Sequence, residues 1–248
     1  MLDGSGGGTS IRGGVLVDGG RLVTRYGSRI SNNRARVGGG VNVRNGGRLS
    51  MFGGGAIRYN RANENGGGVH VESGSTFANS GGTVRNNHAN LSGGGLWVSA
   101  SGILDVTSGS IRNNTVGSGF GPNVHVRRNS WSSLRAGIRG LQHVTPRGAR
   151  TATFGLMESF DIPASSAGEA ITIGGNRDIT LVSTDGTRQI ISQTNHSSRR
   201  NQRHFIVNPG STLTLSNNIT LNGNVSNDRA SIRGGVLVHG GTSLHYFC

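Results

Sequence analysis

Residues 66–87 read GGGVHVESGSTFANSGGTVRNN, and this stretch decides the fold. It holds three short apolar elements, at Val69 and Val71, at Phe77 and at Val84, separated by Gly and Ser and closed by Asn87. The same order occurs on either side. The leading apolar residues Val15, Val41, Val69 and Leu96 are spaced by 26, 28 and 27 residues, and Leu22, Leu49, Phe77 and Leu104 by 27, 28 and 27. Ile30, Ile57, Val84 and Ile111 are each 27 apart, as are Asn33, Asn60, Asn87 and Asn114. Three elements sharing one period through four copies mark a repeat architecture.

Each element carries apolar residues at alternate positions, the pattern of a half-buried strand. Gly and Asn interrupt every window before two helical turns could form. One repeat is therefore a coil of three short strands, and stacked coils pair equivalent strands in parallel about 4.8 Å apart. The expected fold is all-β, a right-handed parallel β-helix solenoid of about 27 residues per coil. Val15, Val41, Val69, Leu96 and Val124 should form one inward column, with Val17, Val43, Val71, Val98 and Val126 beside it. Asn33, Asn60, Asn87 and Asn114 are expected to turn inward at a corner as a ladder of stacked amides.

Composition agrees with a solenoid better than with one compact core. Of 248 residues 45 are Gly, with only four Pro and no Gly-X-Y period, which excludes collagen. Apolar residues make up 32% and aromatics 5%, too few for a large globular interior. Lys and Arg together number 25, all of them Arg, against 11 acidic residues, a net charge of +14 that favours acidic partners. Codon bias towards Arg accounts for the same excess without a ligand. The single Cys248 permits no disulfide framework and no Cys-based metal site. No apolar run has the length of a membrane span, and the opening residues lack the pattern of a signal peptide. The chain reads as one β-helix fragment over 1–248 of something longer: four regular coils over 11–116, an irregular coil or excursion over 117–170, and less regular coils over 171–248, the last cut short. Coil edges opened in this way are expected to promote self-association.

The run from Gly66 to Phe77, followed by Ser80 to Asn87, resembles the degenerate repeats of bacterial right-handed β-helix surface proteins. These belong to the pectate-lyase-like superfamily and include adhesin-like and autotransporter passenger segments. The resemblance covers Ile11 to Val116 well. It is looser through Ile171-Thr172-Ile173, Ile179 to Val182, Leu213 to Leu215, Ile219 to Leu221 and Gly234 to Val238. It implies a cell-surface or extracellular location and is specific for fold, not for activity.

Candidate chemistry sits on outward positions. Leu16, Asn42, His70, Trp97 and His125 should stack on the first strand, and an exposed Trp97 between two histidines would offer a platform for a sugar ring or an aromatic partner. A Trp97 beneath an overhanging loop, or one that simply tops the sheet, would be structural, and the structural reading is preferred. His70 and His125 are two coils apart, about 10 Å at about 4.8 Å per coil, too far to share a metal. Arg58, Arg85 and Arg112 should form a column able to meet an anionic polymer, or else splay into solvent. Asp18, Arg44 and Glu72 suggest alternating charge pairs between coils. The basic loops around Arg135, Arg139, Arg147 and Arg150, and around Arg199, Arg200 and Arg203, lack interleaved aromatics and so give no specific nucleic-acid motif. Asp185-Gly186 reads as a turn, and no two carboxylates fall on one face as glycoside cleavage requires. No cofactor or metal motif is present. Three readings follow in order of preference: a non-enzymatic surface-displayed or secreted segment with an adhesin-like or stalk role, a module binding polysaccharide or another polyanion, and a polysaccharide lyase or hydrolase.

Overall fold

A computed structural model describes residues 2–3, 14–139, 141, 151–163, 169–193, 203–216, 218–223, 235–239 and 244–246. The chain divides into two compact units, Met1–Arg127 with Arg139–Thr153, and Arg128–Ile138 with Phe154–Cys248. All paired strands described in either unit are parallel, and both units are β-solenoids.

In the first unit the leading wall is built from Val15–Asp18, Val41–Arg44, Val69–Val71, Leu96–Val98 and Val124–Arg128. Its register sets Val15, Val41, Val69, Leu96 and Val124 side by side in sequence order. Leu22, Leu49, Phe77 and Leu104 line the second wall, and Ile30, Ile57, Val84 and Ile111 the third. From Val41 to Val126 the side chains of the leading wall's inward columns are at most 1% exposed, as are Leu49, Phe77, Ile57 and Val84. Full burial of such side chains contributes about 1.5–3 kcal/mol each. β-branched residues dominate because stacked pleats accept them without loss of rotamer freedom.

Two details go beyond the repeat read from the sequence. In the third and fourth coils the second and third walls merge into ten-residue strands, Thr76–Arg85 and Ile103–Arg112, with register shifts between Asn79 and Thr83. The buried Asn79 side chain bridges the irregularity: its Oδ1 accepts from Gly82 N at 2.7 Å and its Nδ2 donates to Gly82 O at 3.2 Å. A fourth, two-residue strand follows the Asn corner in each coil, at Arg34–Ala35, Arg61–Ala62, His88–Ala89 and Thr115–Val116. Its inward residue is small because the corner leaves little depth, and Ala62 and Ala89 are fully buried.

The corner itself is an amide ladder. Asn60 Oδ1 accepts from both N and Nδ2 of Asn33, Asn87 Oδ1 from both groups of Asn60, and Asn114 Oδ1 from both groups of Asn87, all at 2.9–3.0 Å. Each Nδ2 of Asn60, Asn87 and Asn114 also donates to the carbonyl of Ile30, Ile57 or Val84. Asn123 ends the ladder, its Oδ1 accepting from Asn114 N and Nδ2 at 3.2 Å. Gly68 has no side chain for a steric reason: a Cβ there would lie 2.6 Å from Gly95 O and 2.9 Å from Asn87 Nδ2.

The second unit uses longer coils. Ile171–Ile173 pairs with Phe205–Val207, 34 residues on, and that with Val236–Val238, 31 further. Asp178–Ser183 pairs with Thr212–Leu215, and Phe160–Ile162 with Gln189–Gln193 and then Ile219–Asn222. The Gly and Asn breaks argue against helices, yet Trp131–Arg139 is one. Ser130 caps it, its Oγ accepting from Ser133 N at 3.2 Å while Ser133 Oγ accepts from Ser130 N at 3.2 Å. Trp131, Leu134 and Ile138 lie on one buried face at helical spacing, and Trp131 meets Phe205 edge-on at 5.7 Å. Arg177 Nη1 donates to Ile138 O at 2.9 Å near the helix C-terminus.

Candidate functional site

On the leading wall Leu16, Asn42, His70, Trp97 and His125 stand in register on consecutive coils. Leu16 is 52% exposed, whereas His70, Trp97 and His125 are 7%, 8% and 3% exposed. The sugar platform expected of an exposed Trp97 is thus closed. Closure comes from the glycine corner that precedes each strand and folds across its outward face. Gly66, Gly93 and Gly121 have φ of 70°, 67° and 64°, and a Cβ on them would fall 2.8, 2.7 and 2.8 Å from the Cβ of His70, Trp97 and His125.

Beneath this cover the rings stack on one another. His70 and Trp97 stack with centroids 4.3 Å apart and planes 3° from parallel, and Phe120 lies 6.3 Å from His125. His70 Nδ1 is 3.1 Å from Asn42 Oδ1, so that nitrogen carries the proton, and Asn42 Nδ2 donates to Glu72 Oε1 at 3.3 Å. His125 Nδ1 is buried with no hydrogen-bond partner among the described residues. Burial lowers both histidines to about 4, helped by Arg36 for His70 and Arg127 for His125. Both are neutral at physiological pH. Trp97 separates them, and among the described residues no group of three or more His, Cys, Asp or Glu is placed to hold a metal.

Arg58, Arg85 and Arg112 are in register on the third wall, with Ser31 in the first coil. Arg29 pairs with Ala56 and so lies off that column. Arg58 and Arg85 are partly buried and Arg112 is exposed. The next residue of each coil adopts the left-handed conformation: Asn32, Tyr59, Asn86 and Asn113 have φ of 57°, 56°, 54° and 54°. Asn tolerates this region and Tyr does not. Tyr59 is nevertheless there, 49% exposed, with Arg58 Cζ 5.4 Å from its ring centre. Beyond the Asn corner Arg34, Arg61 and His88 stand in register. Arg34 Nε donates to Asn63 Oδ1 at 3.1 Å and Arg61 Nη2 to Asn90 Oδ1 at 3.0 Å. Tyr59, Arg34 and Arg61 were missed from the sequence, although the 27-residue step from Arg34 to Arg61 was visible there.

Acidic side chains serve local structure. Arg44 and Asn45 both bond Asp18, at 2.7 and 2.6 Å, and hold its carboxyl below the usual range. Glu72 does not extend this pair as an ion pair; it accepts from Asn42 on the neighbouring coil. Asp105 is 3.9 Å from Arg48. Asp185 Oδ1 accepts from Thr187 N, Thr187 Oγ1 and Ser183 Oγ, which holds its carboxyl far below the ordinary value in a turn closed by Gly186 at φ 75°. Arg135 pairs with Glu169. Arg147, Arg150, Arg199, Arg200 and Cys248 lie outside the described residues.

Comparison with family models, with curated proteins and with solved structures gives no match. Two features of the first unit stand out: a covered aromatic column stacked across neighbouring coils, and a cationic corner on which arginines from successive coils stand in register.

Proposed function

We propose that this chain is a non-enzymatic β-solenoid segment, surface-displayed or secreted, with an adhesin-like or stalk role. One observation carries this reading: polar side chains of the first unit reach across to the next coil, at or beside the residue in register with them. Asp18 bonds Arg44, Arg36 bonds Glu64 through both carboxylate oxygens, Ser73 bonds Ser99, Ser80 bonds Thr107, and His88 bonds Thr115, each across 26–28 residues. Together with the Asn ladder, these contacts resist slippage of one coil over the next. A stack advancing about 4.8 Å per coil in this way is suited to holding groups at a distance. The non-enzymatic part of the reading is supported by Asp18 and Asp185, whose carboxylates are engaged by fixed neighbours where general acid–base work needs a tunable group. Among the described residues no helix is long and apolar enough to cross a membrane.

Antibody labelling of intact, unpermeabilised cells, repeated after external protease, tests the placement. Labelling that protease abolishes is expected. Labelling that needs permeabilised cells overturns it, and release of reducing or unsaturated ends from acidic polysaccharides by the purified chain overturns the non-enzymatic role.

A further inference from the structure

We infer that the corner formed by Arg58, Tyr59 and Arg61, with Arg34, Arg85 and Arg112 from adjoining coils, is a binding site for a linear acidic polysaccharide. The inference goes beyond the scaffold role and does not depend on where the chain is displayed.

Charge is the first ground. The four corner segments 29–36, 56–64, 83–90 and 110–117 contain seven Arg and one acidic residue, Glu64. Glu64 is engaged by Arg36, its two oxygens 3.0 and 2.9 Å from Nη1. Guanidinium groups in register on paired strands therefore face one another without an alternating carboxylate, an arrangement that repels unless an anion lies between them. Asn63 and Asn90 each take one N–H of Arg34 and Arg61, fixing those side chains and leaving N–H groups for a ligand.

Tyr59 is the second ground. Three of the four coils place Asn at this left-handed position, and the second places a half-exposed Tyr in a backbone region hostile to its Cβ. Strain of this kind, uncompensated by burial, is characteristic of sites where a side chain is displayed for contact. Flanked by Arg58 and Arg61, the ring offers a face on which a sugar can stack while its acidic group meets a guanidinium.

Spacing selects the polymer. Rows of Arg repeat once per coil, about 4.8 Å, close to the length of one sugar ring in an extended chain with one acidic group per residue. The neighbouring Asn86 and Asn113 present amides suited to sugar hydroxyls. A single-stranded nucleic acid would call for an aromatic at each nucleotide step, and this corner has one.

The test measures binding of the whole chain to a short alginate oligosaccharide at low salt, beside neutral dextran and an oligo-dT of equal charge. Alginate is expected to bind and dextran not to bind. Tyr59→Asn restores the residue found in the other coils, so it should melt at or above the temperature of the parent while binding about fivefold more weakly. The pair Arg58→Gln with Arg85→Gln should weaken binding about tenfold or more. The control pair Arg21→Gln with Arg48→Gln, on the second wall, should leave it within about twofold. Equal loss from both Arg pairs shows attraction by bulk charge and overturns the site. Unchanged alginate affinity in Tyr59→Asn overturns it as well. Tighter binding of oligo-dT than of alginate overturns the polysaccharide assignment in favour of nucleic acid.

Discussion

Asn87→Ala isolates the energetics of the corner. The substitution removes four hydrogen bonds: Asn60 N and Nδ2 lose Asn87 Oδ1, and Ile57 O and Asn114 Oδ1 lose Asn87 Nδ2. Asn87 N keeps its bond to Asn114 Oδ1, because the backbone donates it. At about 0.5–1 kcal/mol net per bond, with an added penalty of about 1 kcal/mol for stranding the buried Asn60 N–H, the loss is about 3–5 kcal/mol. With a urea slope of about 2 kcal/mol per molar, the midpoint of the first unit's unfolding should fall by about 2 M. Circular dichroism with urea titration reads it. Asn87→Asp sharpens the test: it keeps an acceptor for Asn60 but sets a carboxylate oxygen against Ile57 O and Asn114 Oδ1, so it should cost at least as much as Ala. A shift below about 0.3 M in Ala, or an Asp variant as stable as the parent, would refute the claim that the ladder holds the coils in register.

Three further outcomes are expected. His70, His125 and His204 are each lowered by burial from 6.5 to about 4, so the unfolded chain takes their protons first. Stability is therefore complete above about pH 6.5 and falls as pH drops towards 4, by up to about 3 kcal/mol per histidine; a melting temperature flat between pH 7 and 4.5 contradicts this. Gly68→Ala drives a Cβ into Gly95 O and Asn87 Nδ2 and should destabilise by about 3 kcal/mol or more, read by the same urea titration, and a neutral effect would show that the coils can move apart. The chain has two tryptophans, Trp97 and Trp131, 8% and 1% exposed, so acrylamide should quench native fluorescence weakly and unfolded fluorescence strongly; strong native quenching means the glycine cover over Trp97 is open.

The first unit was legible because its coils keep one length: steps of 26–28 residues leave Val41, Val69 and Leu96 in phase and the Asn corner at a constant 27. Coils in the second unit differ by several residues, with Ile171 and Phe205 34 apart and Phe205 and Val236 31 apart, so no single period connects them. The fourth strand escaped because two residues carry no alternation, and Asn123 because it lies nine residues after Asn114 and not 27. The helix had a signal, Ser130 followed by Trp131, Leu134 and Ile138, but a chain so dense in strand patterning masks one short amphipathic run. For the candidate site, strand register placed His70, Trp97 and His125 in one column, yet register says nothing about what lies above a face. Their burial depends on left-handed glycines four residues upstream, a property of the backbone path. Tyr59 was overlooked for a related reason: its interest lies in a dihedral angle, and composition does not display one.

Because every rung of the Asn ladder contacts only its immediate neighbours, the column has no preferred height. Tandem duplication of one 27-residue block would insert a storey whose amides find the same partners as those it displaced. Such a molecule can change its reach in a single recombination event, a freedom denied to proteins whose interior is one closed puzzle.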